Sequence, residues 1–222
     1  MKVDMHIHTS ASPDTWTKLN VLRKHCLKKG LFPVITDHNT IKGALEYKKR
    51  YNDCIIGEEI KIFHEGHKGE ITGLFLNEEI KKNIDIFEAI DKIKEQGGLV
   101  YLAHPFDKVR VRSALFGHGE FDIKNKLDIV EVYNGRVVFK KYTKKAWEYA
   151  NRMNLPKASG SDAHWPVEIG RAYTKMESFD LDNPKDFLKK LRTSEQVMVK
   201  HANPFVLLVG TKFFNKFKNL KI

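Results

Sequence analysis

The chain has 222 residues, enough for one sizeable core, and its 41% apolar content fits a globular protein. No apolar run approaches the ~20 residues that span a bilayer, and "MKVDMHIH" lacks the apolar core of a secretion signal, so the expected location is the cytoplasm with no membrane contact. Lys and Arg outnumber Asp and Glu by 39 to 28, a formal charge of +11 that favours an anionic substrate such as a phosphate ester, nucleotide or nucleic acid, while Cys26 and Cys54 are too few for a disulfide framework or a thiolate metal site.

In chain order, a first strand ends on His6 and His8, and "TKLNVLRKHCLKKG" then has helical spacing closed by glycine. "LFPVITDHN" reads as a buried strand, "TIKGALEYKKRYN" as a helix and "DCIIGEEI" as a third strand. "EIKIFHEGHKGEITGLFL" breaks the rhythm, because two strand-like runs flank a His/Gly-rich turn and so predict a hairpin. After the helical "IDIFEAIDKIKEQGG" come the strand "GGLVYLAHP", an irregular stretch from Asp107 to Asn125, the strand "LDIVEVYN", the helical "VVFKKYTKKAWEYANRMN" and the strand "LPKASGSDAH". The tail predicts an amphipathic helix over residues 204–220, packed on the same single domain of residues 1–222. Alternating strands and helices imply a parallel sheet with helices outside it. Paired lysines such as those in "EYKKRY" and "FKKYTKKAW" belong by default to solvated helix faces.

Metal-ligand residue types gather where the predicted strands end: His6 and His8, Asp37 and His38, Glu58 and Glu59, His104, then Asp162 and His164. Parallel β/α architectures place their sites at these carboxyl ends. Residues at i and i+2 on a strand share a face, so His6 with His8 can offer two imidazoles to one ion. A lone H-x-H is ordinarily two polar residues on a solvated edge strand; here the partners change the reading. Imidazole plus carboxylate suits Zn, Mn or Fe, and the number of donors exceeds one tetrahedral ion, which implies two or three divalent ions.

"DMHIHTSASPD", "ITDHNT", "IGEEI", "LAHPF" and "GSDAH" resemble, in order, the motifs of the PHP (polymerase and histidinol phosphatase) family of metal-dependent phosphoesterases, over Val3 to about Thr174. The resemblance implies a distorted seven-stranded (β/α) barrel with its metal site at the carboxyl ends of the strands. It implies His6, His8, Glu59 and Asp162 around a first ion, Glu59 bridging to a second that His104 also binds, and Asp14, His38 and His164 around a third. Asp37 is implied as a neighbour of the ligands or a proton carrier. Glu70 stands where relatives commonly carry histidine, and Glu58 reads as a structural neighbour. His64 and His67 are alternative donors, although histidines in a Gly-rich turn are ordinarily just exposed. Arg110, Arg112, Arg136 and Arg171 are candidates for gripping phosphate, with Arg112, Arg136 and Arg171 carried forward and Arg171 equally suited to anchoring a loop.

The function expected from the resemblance is hydrolysis of a phosphate ester, a small phosphomonoester or nucleotide, by a metal-bound hydroxide. An exonuclease acting on nucleic-acid ends and a non-catalytic metal-binding module are the alternatives. Oligomeric state is not legible.

Overall fold

The computed structural model describes residues 1–110, 115–117 and 123–201. Its strands are β1 (Lys2–Ile7), β2 (Leu31–His38), β3 (Ile55–His64), β4 (His67–Leu74), β5 (Ile84–Asp85), β6 (Leu99–Leu102), β7 (Ile129–Asn134), β8 (Lys157–Gly160), β9 (Ala172–Lys175) and β10 (Glu195–Met198). Between them lie helices α1 (Leu19–Lys29), α2 (Lys42–Tyr51), α3 (Ile86–Glu95), α4 (Lys140–Arg152) and α5 (Pro184–Arg192). The predicted helix over residues 204–220 lies outside the described residues, as does part of the irregular Asp107–Asn125 stretch.

The chain turns where the sequence supplies residues that tolerate left-handed backbone. Gly30, Asn52, Gly97 and Asn154 follow α1, α2, α3 and α4 with φ of 62°, 53°, 71° and 49°. At the other helix ends, Asp85 caps α3 through the amide of Phe87, and Asn183 caps α5 through the amides of Lys185 and Asp186 with Pro184 opening the helix.

The sheet order is β10-β9-β1-β2-β3-β4-β6-β7-β8, with β5 beside β3. Strands β1, β2 and β3 run parallel, as do β6, β7 and β8, while β4 is antiparallel to both β3 and β6, as the predicted hairpin requires. The end of β8 returns to β1 through an Ile7–Ala163 bridge and bonds from the Asp162 amide to the His6 carbonyl and from the His8 amide to the Ala163 carbonyl. The result is a nearly closed, barrel-like mixed sheet of seven strands, β1-β2-β3-β4-β6-β7-β8, with the antiparallel β9–β10 ribbon beside β1. Closure is tight enough that a Cβ on Gly160 would lie 2.4 Å from that of His6, so only glycine fits there.

Helices cover the outside. Leu22 and Cys26 of α1 and Ala44 and Tyr47 of α2 pack on Ile7 and Ile35, and Ile86, Ala89, Ile90 and Ile93 of α3 pack with Ile60, Ile71 and Val100. A further cluster joins Val3, Met5, Val34, Ile55, Leu74, Leu99, Ile129 and Ala158, with Phe187 and Leu191 of α5. It floors the barrel. Burying such side chains contributes roughly 1.5–3 kcal/mol each. No helix among the described residues is long and apolar enough to cross a membrane.

Candidate metal centre

The two-residue repeat of a strand carries each inward face from the apolar floor to an ionisable rim. On β2 the series is Val34, Thr36, His38; on β3 it is Ile55, Gly57, Glu59; on β7 it passes from Ile129 to Glu131. Because β4 runs the other way, its series reads Leu74, Thr72, Glu70, which brings a carboxylate from its amino end to the same rim. Strand β1 needs an adjustment. Its register against β2 slips by one residue between Asp4 and Ile7, so Val3 and Met5 join the floor while His6 and His8, beyond the bulge, face the rim. A second slip between Glu131 and Tyr133 on β7 lets both Glu131 and Asn134 reach the site. His104 and Asp162 adopt left-handed backbone, φ 28° and 52°, a conformation that costs of order 1–3 kcal/mol and concentrates at functional sites.

At the rim four donors converge. His6 Nε2 lies 3.1 Å from His8 Nε2, 3.6 Å from Glu59 Oε2 and 3.8 Å from Asp162 Oδ1. His8 Nε2 lies 3.5 and 3.4 Å from the same two carboxylates. A tetrahedral ion bound at about 2.0–2.1 Å holds its donors roughly 3.3 Å apart, so these separations match the edges of one coordination shell. The other oxygen of Glu59 is 2.9 Å from His104 Nε2, and His104 groups with His6 and Asp162. Asp14 Oδ2 lies 3.1 Å from His164 Nε2 and 3.4 Å from His38 Nε2, and His38 groups with Glu59 and Glu70. Every metal-ligand position named from the sequence therefore lies in this one cluster. His64 and His67 do not: they sit at the β3–β4 turn, where His64 Nδ1 meets Asp85 Oδ2 at 2.8 Å.

The cluster is charged as well as crowded. Burial opposes a charged His6, but Asp162, Glu59 and Glu131 outweigh it and hold its pKa well above the usual value. Burial likewise opposes a charged His38, which Glu59, Asp14 and Glu70 raise well above. Glu59, despite burial, is held well below the carboxylate range by His6 and His38. His8 behaves oppositely, lowered to about 3 by burial and by His164 and His38, and so stays neutral. Five carboxylates drawing positive charge to a point that also receives a neutral imidazole make a setting suited to divalent transition ions.

Residues behind the donors orient them. Ser12 Oγ donates to Asp37 Oδ1 at 2.8 Å and accepts from the His38 amide at 3.0 Å, which leaves it to accept from His8 Nδ1 at 3.2 Å. Nδ1 of His8 thus carries the proton, and Nε2 offers its lone pair to the cluster. Glu131, not singled out from the sequence, faces His6 Nδ1 at 3.3 Å and accepts from the His104 amide and Asn134. A carboxylate behind a ligand histidine is the arrangement that favours a proton on Nδ1 and leaves Nε2 to the cluster. Its signal was present: a lone glutamate inside the apolar run "LDIVEVYN".

For Asp37, Arg171 and Glu58 the geometry selects the supporting alternative in each case. Asp37 lies on the outer side of β2, where one oxygen accepts from the Thr9 amide and Ser12 and the other from the Thr9 hydroxyl; it holds the loop after β1 rather than facing the rim as a proton carrier. A Cβ on Gly43 of α2 would fall 2.2 Å from Asp37 Oδ2, so the helix depends on glycine to pack there. The guanidinium of Arg171 meets Glu168 at 3.0 Å, and Glu168 in turn accepts from the His164 and Trp165 amides, so Arg171 anchors the His164 loop. Glu58 points away from the cluster, accepts from the Ile80 amide and has its pKa pushed up to about 8 by burial. Arg136 is buried just beyond Asn134, and among the described residues its Nη1 has no hydrogen-bond partner. Arg112 lies outside the described residues.

Comparison with known proteins agrees with this picture. The profile of a family described as PHP-associated matches residues 141–195, which run from α4 to the start of β10. An uncharacterized protein of Methanocaldococcus jannaschii, MJ0417, is 39% identical over 209 residues, covering 90% of this chain and 84% of its own length. A second from that organism, MJ1587, is 42% identical over 149 residues, 60% of this chain and 82% of its own. Among solved structures, PsfC from Pseudomonas syringae PB-5123 superposes with a TM-score of 0.67 at 12% identity, covering 97% of this chain and 98% of its own. A Bifidobacterium adolescentis protein under the working assignment of metal-dependent phosphoesterase gives a TM-score of 0.59 at 18% identity, covering 74% and 88%. An amidohydrolase from Chromobacterium violaceum, solved with sulfate and no metal, also gives 0.59, at 15% identity and covering 77% and 90%. With the ordered motifs, the barrel and the 39% identical relative in agreement, the chain belongs to the PHP family.

Proposed function

We propose that the chain is a metal-dependent phosphoesterase that hydrolyses a small phosphomonoester or nucleotide. The observation that carries this reading is the convergence of His6, His8, Glu59 and Asp162 at separations of 3.1–3.8 Å. In this reading His6, His8, Glu59 and Asp162 hold one ion, Glu59 and His104 share a second, and Asp14, His38 and His164 hold a third beside Glu70. Bound there, Zn, Mn or Fe supplies Lewis acidity, which polarises a phosphoryl oxygen and acidifies water toward neutrality.

The protein's own groups do the rest. Glu131 holds His6 with Nε2 inward, and the Ser12–Asp37 pair holds His8 in the same sense. Asn134 donates to Asp162 Oδ2 at 3.0 Å and keeps its other oxygen toward the histidines. Arg136 offers a buried guanidinium nitrogen of the kind that binds phosphate oxygens in pairs, while Arg171 serves by positioning His164. Glu70 apart, the donor positions match the family motifs, which speaks against a non-catalytic module. The test is hydrolysis of p-nitrophenyl phosphate and a nucleotide panel after loading with Zn, Mn or Fe. Metal-dependent phosphate release is expected, and metal-loaded protein inert across the panel overturns the reading.

A further inference from the structure

Beside the rim opens a cavity of about 680 Å³, walled on one side by His38 and elsewhere by Lys42, Lys61, Lys68 and Lys82. The hairpin explains two of these lysines. Lys61 lies two residues beyond Glu59 on β3, and Glu70, its cross-strand partner on β4, is followed at the same spacing by Lys68. The face that presents carboxylates to the cluster therefore continues upward as lysines. Lys42 opens α2 and Lys82 precedes β5, so four separate segments converge on one space, unlike lysines spaced along a single helix face. All four are exposed, and among the described residues none is engaged in an ion pair. Some lysines elsewhere are so engaged, among them Lys48 with Asp182, Lys94 with Asp128, Lys175 with Glu195 and Lys190 with Glu177, so it is the convergence of the four on one space that sets them apart. The one acidic residue of the wall, Glu79, accepts from the Thr40 hydroxyl at 2.6 Å.

We propose that this groove is a specificity subsite for a second phosphate, so that the substrate is a small ester carrying two phosphates, one at the rim cluster and the other among Lys42, Lys61, Lys68 and Lys82. The proposal rests on the phosphoesterase reading. Ammonium groups on flexible stems suit a phosphate that must be held but not oriented for chemistry, whereas the buried Arg136 suits the one that reacts.

The experiment measures kcat/KM of the metal-loaded protein for fructose 1,6-bisphosphate and fructose 6-phosphate, with a 5′-phosphorylated tetranucleotide as a third probe. The wild type is expected to favour the bisphosphate at least tenfold, and Lys61→Glu/Lys68→Glu to lower that ratio at least tenfold, chiefly through KM. Lys144→Glu on α4, a surface charge change of the same sign, is expected to leave the ratio alone. An unchanged ratio in the double variant overturns the proposal, and so does a lysine-dependent preference for the tetranucleotide over the bisphosphate, which would assign the groove to a nucleic-acid backbone. Calorimetric binding of the same two sugars to Glu59→Gln gives a readout without turnover. Lysine-dependent preference for the bisphosphate there, with no hydrolysis by the wild type, would retire the phosphoesterase reading and uphold the groove.

Discussion

The floor and the rim of the barrel are built from the same strands, two to four residues apart along each, yet they hold opposite chemistries. At the floor, Val34, Ile55, Leu74 and Ile129 pack with Phe187 and Leu191 of α5 and take no part in any polar arrangement. At the rim, His38, Glu59 and Glu70 stand two repeats away on those strands, in a cluster that concentrates carboxylates out of water. Buried charges are costly unless paired or bound to a cation, whereas buried aliphatic surface drives folding. The floor therefore supplies stability and sets the register, and the register delivers the donors to one point.

That division is testable, and the largest effect belongs to the rim. Glu59→Gln removes the carboxylate shared by the histidine pair and His104, and turnover of p-nitrophenyl phosphate is expected to fall about 1,000-fold or more with the far-ultraviolet circular dichroism unchanged. Loss of the fold in this variant would contradict the separation of roles. Ile129→Ala, on the floor, is expected to lower unfolding free energy by about 2–5 kcal/mol in urea titrations while leaving KM of the folded fraction unchanged. Glu131→Gln lies between the two: it keeps the shape but weakens the hold on His6, so metal affinity measured by competition with a chelator is expected to drop roughly 10–100-fold. The smallest effect is chemical. Cys26 and Cys54 are buried on the outer face of the sheet, and burial pushes both thiols up to about 12, disfavouring the thiolate. At pH 8 neither is expected to react with a thiol reagent until the protein is unfolded, whereupon both should.

Much of the rim was legible because ligand-type residues sit at the ends of apolar runs, where β/α folds place their sites, and because His6 and His8 share the strand repeat. The hairpin was legible too. It also explains Glu70, whose strand runs in reverse and so brings its amino end to the rim. The bulge in β1 was not legible. Val3, Met5, His6 and His8 do not fall on one simple alternation, and only pairing with β2 reveals the extra residue. Glu131 was overlooked because a glutamate within "DIVEVYN" looks like an ordinary solvent-facing residue until both faces of β7 prove to be covered. The end of the described chain carried weaker signals. Strands β9 and β10 are four residues each, too short for a periodicity, although Asn183 and Pro184 mark the start of α5 by the usual helix-opening pattern.

The central claim, that the rim is a metal centre that performs the hydrolysis, is most directly tested by elemental metal analysis of the dialysed wild type and His8→Ala, with turnover measured on the same samples. The account predicts about two or three equivalents of transition metal in the wild type, and loss of at least one equivalent together with turnover in His8→Ala. A His8→Ala protein that remains fully metallated and fully active would contradict it.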